Sequence, residues 1–132
     1  MQNCKLKITG GQAGEKETVE LYTNGSVSFD NGTTVIEYDD GESDDNSVNR
    51  VIISGDVVTM SRLGAFTQTL IFEKGKSFST LIPTTVGMLP LSIYSSSVVT
   101  DVKDDKTTVN LSYSMDFNGS SSENEMTLEA YY

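Results

Sequence analysis

Histidine and tryptophan are absent from the 132 residues, cysteine occurs once and proline twice. Without histidine there is no Ser-His or Cys-His nucleophile arrangement and no imidazole to ligate a metal. Without tryptophan a common sugar-stacking platform is missing, so paired carboxylates stand alone as a signal for glycoside chemistry. The single Cys4 excludes an intramolecular disulfide framework. It shares the face of Leu6 and Ile8, and is therefore expected to be a packed thiol and not a nucleophile.

Positive charge is scarce too: nine Lys and Arg stand against nineteen Asp and Glu, a formal net charge of -10. Binding to a phosphate backbone needs clustered basic residues, and here they are scattered, so no nucleic-acid partner is expected. The segment Met1-Gln-Asn-Cys-Lys-Leu-Lys7 has no apolar core of the signal-peptide kind, and no run reaches the length of a membrane span. A cytoplasmic protein with no membrane partner is the expectation. Hydrophobic residues make up 36%, and the polar excess is Ser, Thr and Asn, which favours β-structure over disorder.

What is present is alternation. Strand side chains point to opposite faces at successive residues, and Val109, Leu111, Tyr113, Met115 and Phe117 form the longest strict run of period two. Shorter runs are expected over Cys4–Gly10, Glu17–Thr23, Ser26–Phe29, Thr33–Asp40, Phe78–Thr84, Ile93–Val102 and around Met126, Leu128 and Ala130. The stretch Val51–Phe72 reads as three strands joined at Ser54-Gly55-Asp56 and Leu63-Gly64-Ala65. Asn24-Gly25 and Asn31-Gly32 are hairpin signals, because both positions of a tight turn take positive φ. Gly10-Gly11 through Gly14-Glu15-Lys16, Glu73-Lys-Gly-Lys76, Asp104-Asp105 and Asn118-Gly-Ser-Ser-Ser122 read as further turns. Pro83 marks its strand as an edge or an end. Val86–Tyr94 is ambiguous.

Regular short strands with turn chemistry between them indicate an all-β fold of about eight to ten strands. No helical crossover is visible, so an antiparallel up-and-down meander in one domain over 1–132 is expected, closed into a barrel that removes the sheet edges.

The series Gly14-Glu-Lys-Glu-Thr-Val-Glu-Leu21, Ile36-Glu-Tyr-Asp-Asp40, Gly55-Asp-Val-Val-Thr-Met-Ser-Arg-Leu-Gly64 and Phe72-Glu-Lys-Gly75 resembles the YwiB-like family of small bacterial proteins. The resemblance covers most of the chain and rests on the ordered series. It implies a calycin-like (lipocalin-like) β-barrel and no known chemistry. Where the family carries Tyr-x-Thr-Pro-x-Gly, this chain has Ile82-Pro-Thr-Thr-Val-Gly87: Thr84 and Gly87 match, but the tyrosine and that proline are absent.

Arg62 is the unusual residue. It follows Val58 and Met60 on one face and stands just before a turn, so it is expected inside the barrel at a rim. Asp40, in phase with Ile36 and Tyr38, is its expected partner. Phe29, Tyr38, Met60, Phe66, Leu70, Phe72, Tyr113, Met115 and Phe117 are expected inward, with Gln68 in phase. Such side chains either fill a barrel or line a pocket, and buried polar groups among them need partners. The acidic run Asp39-Asp40-Gly41-Glu42-Ser43-Asp44-Asp45-Asn46 lacks EF-hand spacing and reads as a solvated loop. The leading expectation is a binding module that takes a small molecule at the barrel mouth, anionic where it meets Arg62. Arg62, Asp40, Tyr38, Gln68 and Tyr113 would form the site, with no cofactor, metal or catalytic residue. The alternative is a filled barrel serving protein interaction or structure; an enzyme ranks third.

Overall fold

Alternation becomes ten antiparallel strands in the computed structural model, which describes residues 2–12, 19–39, 48–63 and 68–132. They are β1 (Gln2–Gln12), β2 (Val19–Asp30), β3 (Thr33–Tyr38), β4 (Val48–Ser54), β5 (Val57–Leu63), β6 (Gln68–Glu73), β7 (Ser77–Thr84), β8 (Gly87–Val102), β9 (Lys106–Phe117) and β10 (Ser120–Tyr131). No helix occurs among the described residues.

The strands lie in the order β6-β5-β4-β3-β2-β1-β10-β9-β8-β7. Sequential strands pair at every step but one, and β1 pairs with β10, so the meander curls round until its first and last strands meet. The exception corrects an expectation. β6 and β7 follow one another without a hydrogen-bonded ladder, so closure is not complete and both remain edge strands. Pro83 in β7 is at home there, since a proline has no N–H to give a neighbouring strand. The β7–β8 pairing runs on into the turn after β6: Gly75 N donates to Ser95 O (2.7 Å) and Ser95 N to Lys76 O (3.2 Å). These bonds meet β8 where a bulge between Ser95 and Ser97 shifts its register against β9, and bulges of this kind bend a strand and free its backbone groups.

Two glycine turns turn out differently. Asn31 and Gly32 have φ of 49° and 81° and join β2 to β3, as the dipeptide predicts. Asn24-Gly25 makes no turn at all: it lies in the middle of the continuous β2. Gly25 faces Cys4 on β1 and Tyr38 on β3, and a Cβ there would lie 2.4 Å from the Glu37 carbonyl oxygen and 2.9 Å from Leu6 Cδ1. Glycine is needed for close approach, which looks the same in sequence as a need for positive φ. Gly10 and Gly11 likewise continue β1 instead of turning it, and β8 begins at Gly87, extending the strand expected from Ile93.

The interior is apolar. Leu6, Val27, Ile36, Val51, Val58, Phe72, Ile93, Val109, Leu111 and Leu128 are all buried, and Phe72 meets Tyr113 edge to face at 5.1 Å. Phe29 keeps the phase of buried Val27 but stands one residue from the end of β2, so it reaches the barrel's end and not its core. It is half exposed and packs edge to face on Tyr132 (5.5 Å). Tyr132 closes over that end of the barrel: its hydroxyl donates to Lys103 O (2.7 Å) and lies 2.7 Å from Thr107 Oγ1, while its backbone N donates to Asp105 O.

Candidate functional site

Strands β3 to β6 stand in register, and their inward residues form three rows. Deepest are Thr34, Ile53, Val58 and Phe72, directly opposite one another and all buried. Above them come Ile36, Val51, Met60 and Leu70, of which the first two are buried and the last two partly so. The last row is Tyr38, Asn49, Arg62 and Gln68. All four of these are half-buried. Polarity thus changes in one step, from an apolar row to four hydrogen-bonding side chains.

The whole last row, with Val51, Met60 and Leu70 of the row above and Arg50 and Ser61 between them, borders a hollow of about 240 Å³. Tyr38, Arg62 and Gln68 line it together, as sequence phase predicts, over Val51, Met60 and Leu70. Arg62 lies on the inner side, in line with Met60 and Val58. Its expected partner Asp40 lies outside the described residues, as do Phe66 and the acidic run beyond Asp39. Tyr113 does not border this hollow. It sits on β9, opposite Ser95 and Asn124 and against Phe72, one of the deepest row. Burial raises its phenol above the ordinary value, so the neutral, packed form is favoured.

Asn49 is the rim residue that sequence reasoning missed. β4 begins at Val48, before the expected Val51, and counting back by two from Val51 puts Asn49 in phase. On the outer side of the same strands Glu37 faces Arg50 at 3.7 Å, and Ser61 Oγ lies 3.3 Å from Thr69 Oγ1. The inner row therefore sits on a wall whose outer polar groups partly satisfy one another.

Cys4 is buried beside Leu6, and burial raises its thiol despite a backbone hydrogen bond at Gly25 that lowers it. A neutral thiol in such a place is a poor nucleophile. Among the described residues no group of three or more Cys, Asp or Glu is placed to hold a metal ion, and no helix is long and apolar enough to cross a membrane.

These features describe a class: a small, nearly closed antiparallel barrel, apolar within, whose polar inner residues on β3 to β6 gather at one rim. Residues 4–128 match the family described as "Domain of unknown function (DUF1934)", and the chain belongs to that family. Its fold is similar to that in the crystal structure of the ywiB protein from Bacillus subtilis, with a TM-score of 0.78, 22% identity, and coverage of 98% of this chain and 89% of that one. At that identity the likeness concerns fold, and it agrees with the ordered motifs that pointed to YwiB-like proteins. Among curated proteins none matches the chain significantly.

Proposed function

We propose that the protein is a binding module that takes a small anionic molecule at the β3–β6 mouth. The observation that carries this is the single polar row Tyr38, Asn49, Arg62 and Gln68 above an apolar floor of Val51, Met60 and Leu70. Such a floor supplies contact area, and a few convergent polar groups supply orientation. A guanidinium offers paired donors to a carboxylate or phosphate, and the neighbouring amides and phenol add donors and acceptors. At about 240 Å³ the hollow is smaller than the roughly 300–1,000 Å³ usual for drug-sized ligands, which favours a ligand below drug size. The net charge of -10 opposes an anion at long range, but screening over about 8–10 Å leaves the local arginine in control.

A filled barrel serving protein interaction or structure is the second reading. It draws on the fully buried Phe72, Ile36, Ile93 and Leu128, which occupy the interior. Native mass spectrometry of the purified protein, with thermal melts in acetate, citrate and inorganic phosphate, separates the two. The binding reading expects a retained small molecule or a saturable melting shift that disappears in Arg62→Ala. A bare mass and no anion-dependent shift would leave the filled barrel.

A further inference from the structure

The outer wall carries a second arrangement that the mouth does not use. On the outward face of β2, β1, β10 and β9, the residues Asn24, Lys5, Tyr131 and Lys106 lie directly opposite one another in one row. The adjoining row is Tyr22, Lys7, Glu129 and Thr108. Three of the nine basic residues thus share one face of a chain with net charge -10.

Two of the three lysines are already engaged. Lys106 lies 3.6 Å from a Glu129 oxygen and 4.9 Å from the centre of the Tyr131 ring. Lys7 stands 5.7 Å from the centre of the Tyr22 ring, and its charge is favoured by Tyr22, Glu20 and Glu129. Tyr22 and Tyr131 are in turn oriented by hydrogen bonds from their hydroxyls to Glu20 and Glu129. Lys5, between them, makes no ion pair among the described residues, although it is exposed and in the same row.

Lys5 also borders two hollows. One, of about 640 Å³, is bounded by Asn3, Lys5, Asn24, Tyr131 and Tyr132. The other, of about 300 Å³, lies on the Tyr22 side and shares Lys5 and Asn24 with the first. The larger hollow falls inside the usual size range of small-molecule sites, roughly 300–1,000 Å³, where the mouth hollow falls below it. Its chemistry is specific. A lysine ammonium binds an anionic oxygen as a compact point charge. Asn3 and Asn24 each add an amide donor and acceptor. The tyrosines offer ring surface that orders a flat apolar body with little loss of side-chain freedom. Tyr132 is held by its bonds to Lys103, Asp105 and Thr107 and by Phe29.

We infer that the outer hollow at Lys5 is a second binding site, for a small organic anion with a planar body, its carboxylate or phosphate on Lys5 and its ring against Tyr131, with Tyr132 bounding the hollow at the barrel end. The site is independent of the mouth. The mouth centres on Arg62, and no residue lines both hollows.

Benzoate is the probe, with benzamide as its uncharged counterpart and inorganic phosphate as an anion without a ring. Amide and side-chain NMR shifts of the full chain are followed during titration, in wild type and in Lys5→Ala, Lys5→Arg, Lys7→Ala and Arg62→Ala. The expected result is saturable binding of benzoate with shifts at Asn3, Asn24, Tyr131 and Tyr132, at least about tenfold weaker for benzamide and for Lys5→Ala, in keeping with loss of a charge-assisted bond. Lys5→Arg should keep most of the affinity, Lys7→Ala should change it little, and Arg62→Ala should leave it intact. Equal affinity in wild type and Lys5→Ala would overturn the assignment. So would shifts confined to the β3–β6 mouth and lost in Arg62→Ala, or no saturable benzoate binding at all. Because Lys5 is an exposed side chain, its replacement leaves the core untouched, and unchanged melting of Lys5→Ala verifies that the variant is folded.

Discussion

Strand β9 and the wall formed by β3 to β6 follow the same alternation but run for different lengths. β9 has twelve residues and turns Val109, Leu111, Tyr113, Met115 and Phe117 inward one after another. The strands of the other wall have six or seven residues, so each has room for two buried or partly buried inward positions before its third reaches the rim. A polar side chain at depth would need a partner inside the protein, whereas at the rim water reaches it and the cost of polarity falls. Length alone therefore lets one wall build core while the other presents Asn49, Arg62 and Gln68 at a mouth.

The largest effects should come from the long wall. Leu111→Ala is expected to cost about 2–5 kcal/mol in denaturant unfolding, the range for emptying a buried leucine site. The adjacent outward Asn110, whose side chain accepts a bond from Thr127, should cost under about 1 kcal/mol on change to Ala. Equal costs would break the alternation on which the barrel rests.

Next comes the junction between the walls. Gly25→Ala places a Cβ against the Glu37 carbonyl oxygen and should cost about 1–3 kcal/mol as the backbone moves aside. Gly10→Ala meets only the Glu125 oxygen at 3.8 Å and should fall within about 1 kcal/mol of wild type, with a gain within reach because alanine stiffens the unfolded chain. Similar melting temperatures for the two variants would mean that β2 and β3 do not approach so closely in solution.

Two buried hydroxyls sharpen the comparison further. Thr107 Oγ1 has a partner in Tyr132, while Ser95 Oγ is buried without one. Thr107→Val should lose about 1 kcal/mol, whereas Ser95→Ala should be neutral or gain up to about 1 kcal/mol, because an unpaired buried hydroxyl is a liability. A clear loss in Ser95→Ala would reveal a partner such as an internal water.

The smallest effect is a pH dependence. Tyr113 is held neutral by burial, so its folded pKa lies above the ordinary 10.0. Above that pH the unfolded chain has released a proton that the folded chain keeps, so this contribution to stability is whole below pH 10 and is lost as pH rises through the raised folded value. Tyr113→Phe should flatten the alkaline decline measured by urea unfolding. An unchanged slope would place the phenol in contact with water, at odds with a filled interior beneath the mouth.

Much of the fold was legible because burial imprints a period of two on strands. The run from Thr107 to Phe117, the Asn31-Gly32 turn and the edge position of Pro83 all follow from local chemistry. The rim set of Tyr38, Arg62 and Gln68 followed from phase as well. Tyr113 shared that phase, yet it went to the core side, since phase tells which face a residue takes and not how deep along the barrel it lies. Asn49 was missed for the opposite reason: its strand starts one turn of the pleat earlier than the apolar residues announce it.

Sequence by itself determined the face of the residues in the clearly alternating runs, because a side chain that must leave water has two sides to choose from. Sequential neighbours follow from the meander, and only the tertiary structure decided where the sheet closes on itself and where it does not. The pairing of β1 with β10 joins residues more than a hundred positions apart, and no local propensity encodes it; it follows from the curl of the whole sheet. That pairing sets Asn24, Lys5, Tyr131 and Lys106 in one row, while the stacking of β1, β2 and β3 makes Gly25 a point of close approach. The sheet also ends in a seam, with no ladder between β6 and β7.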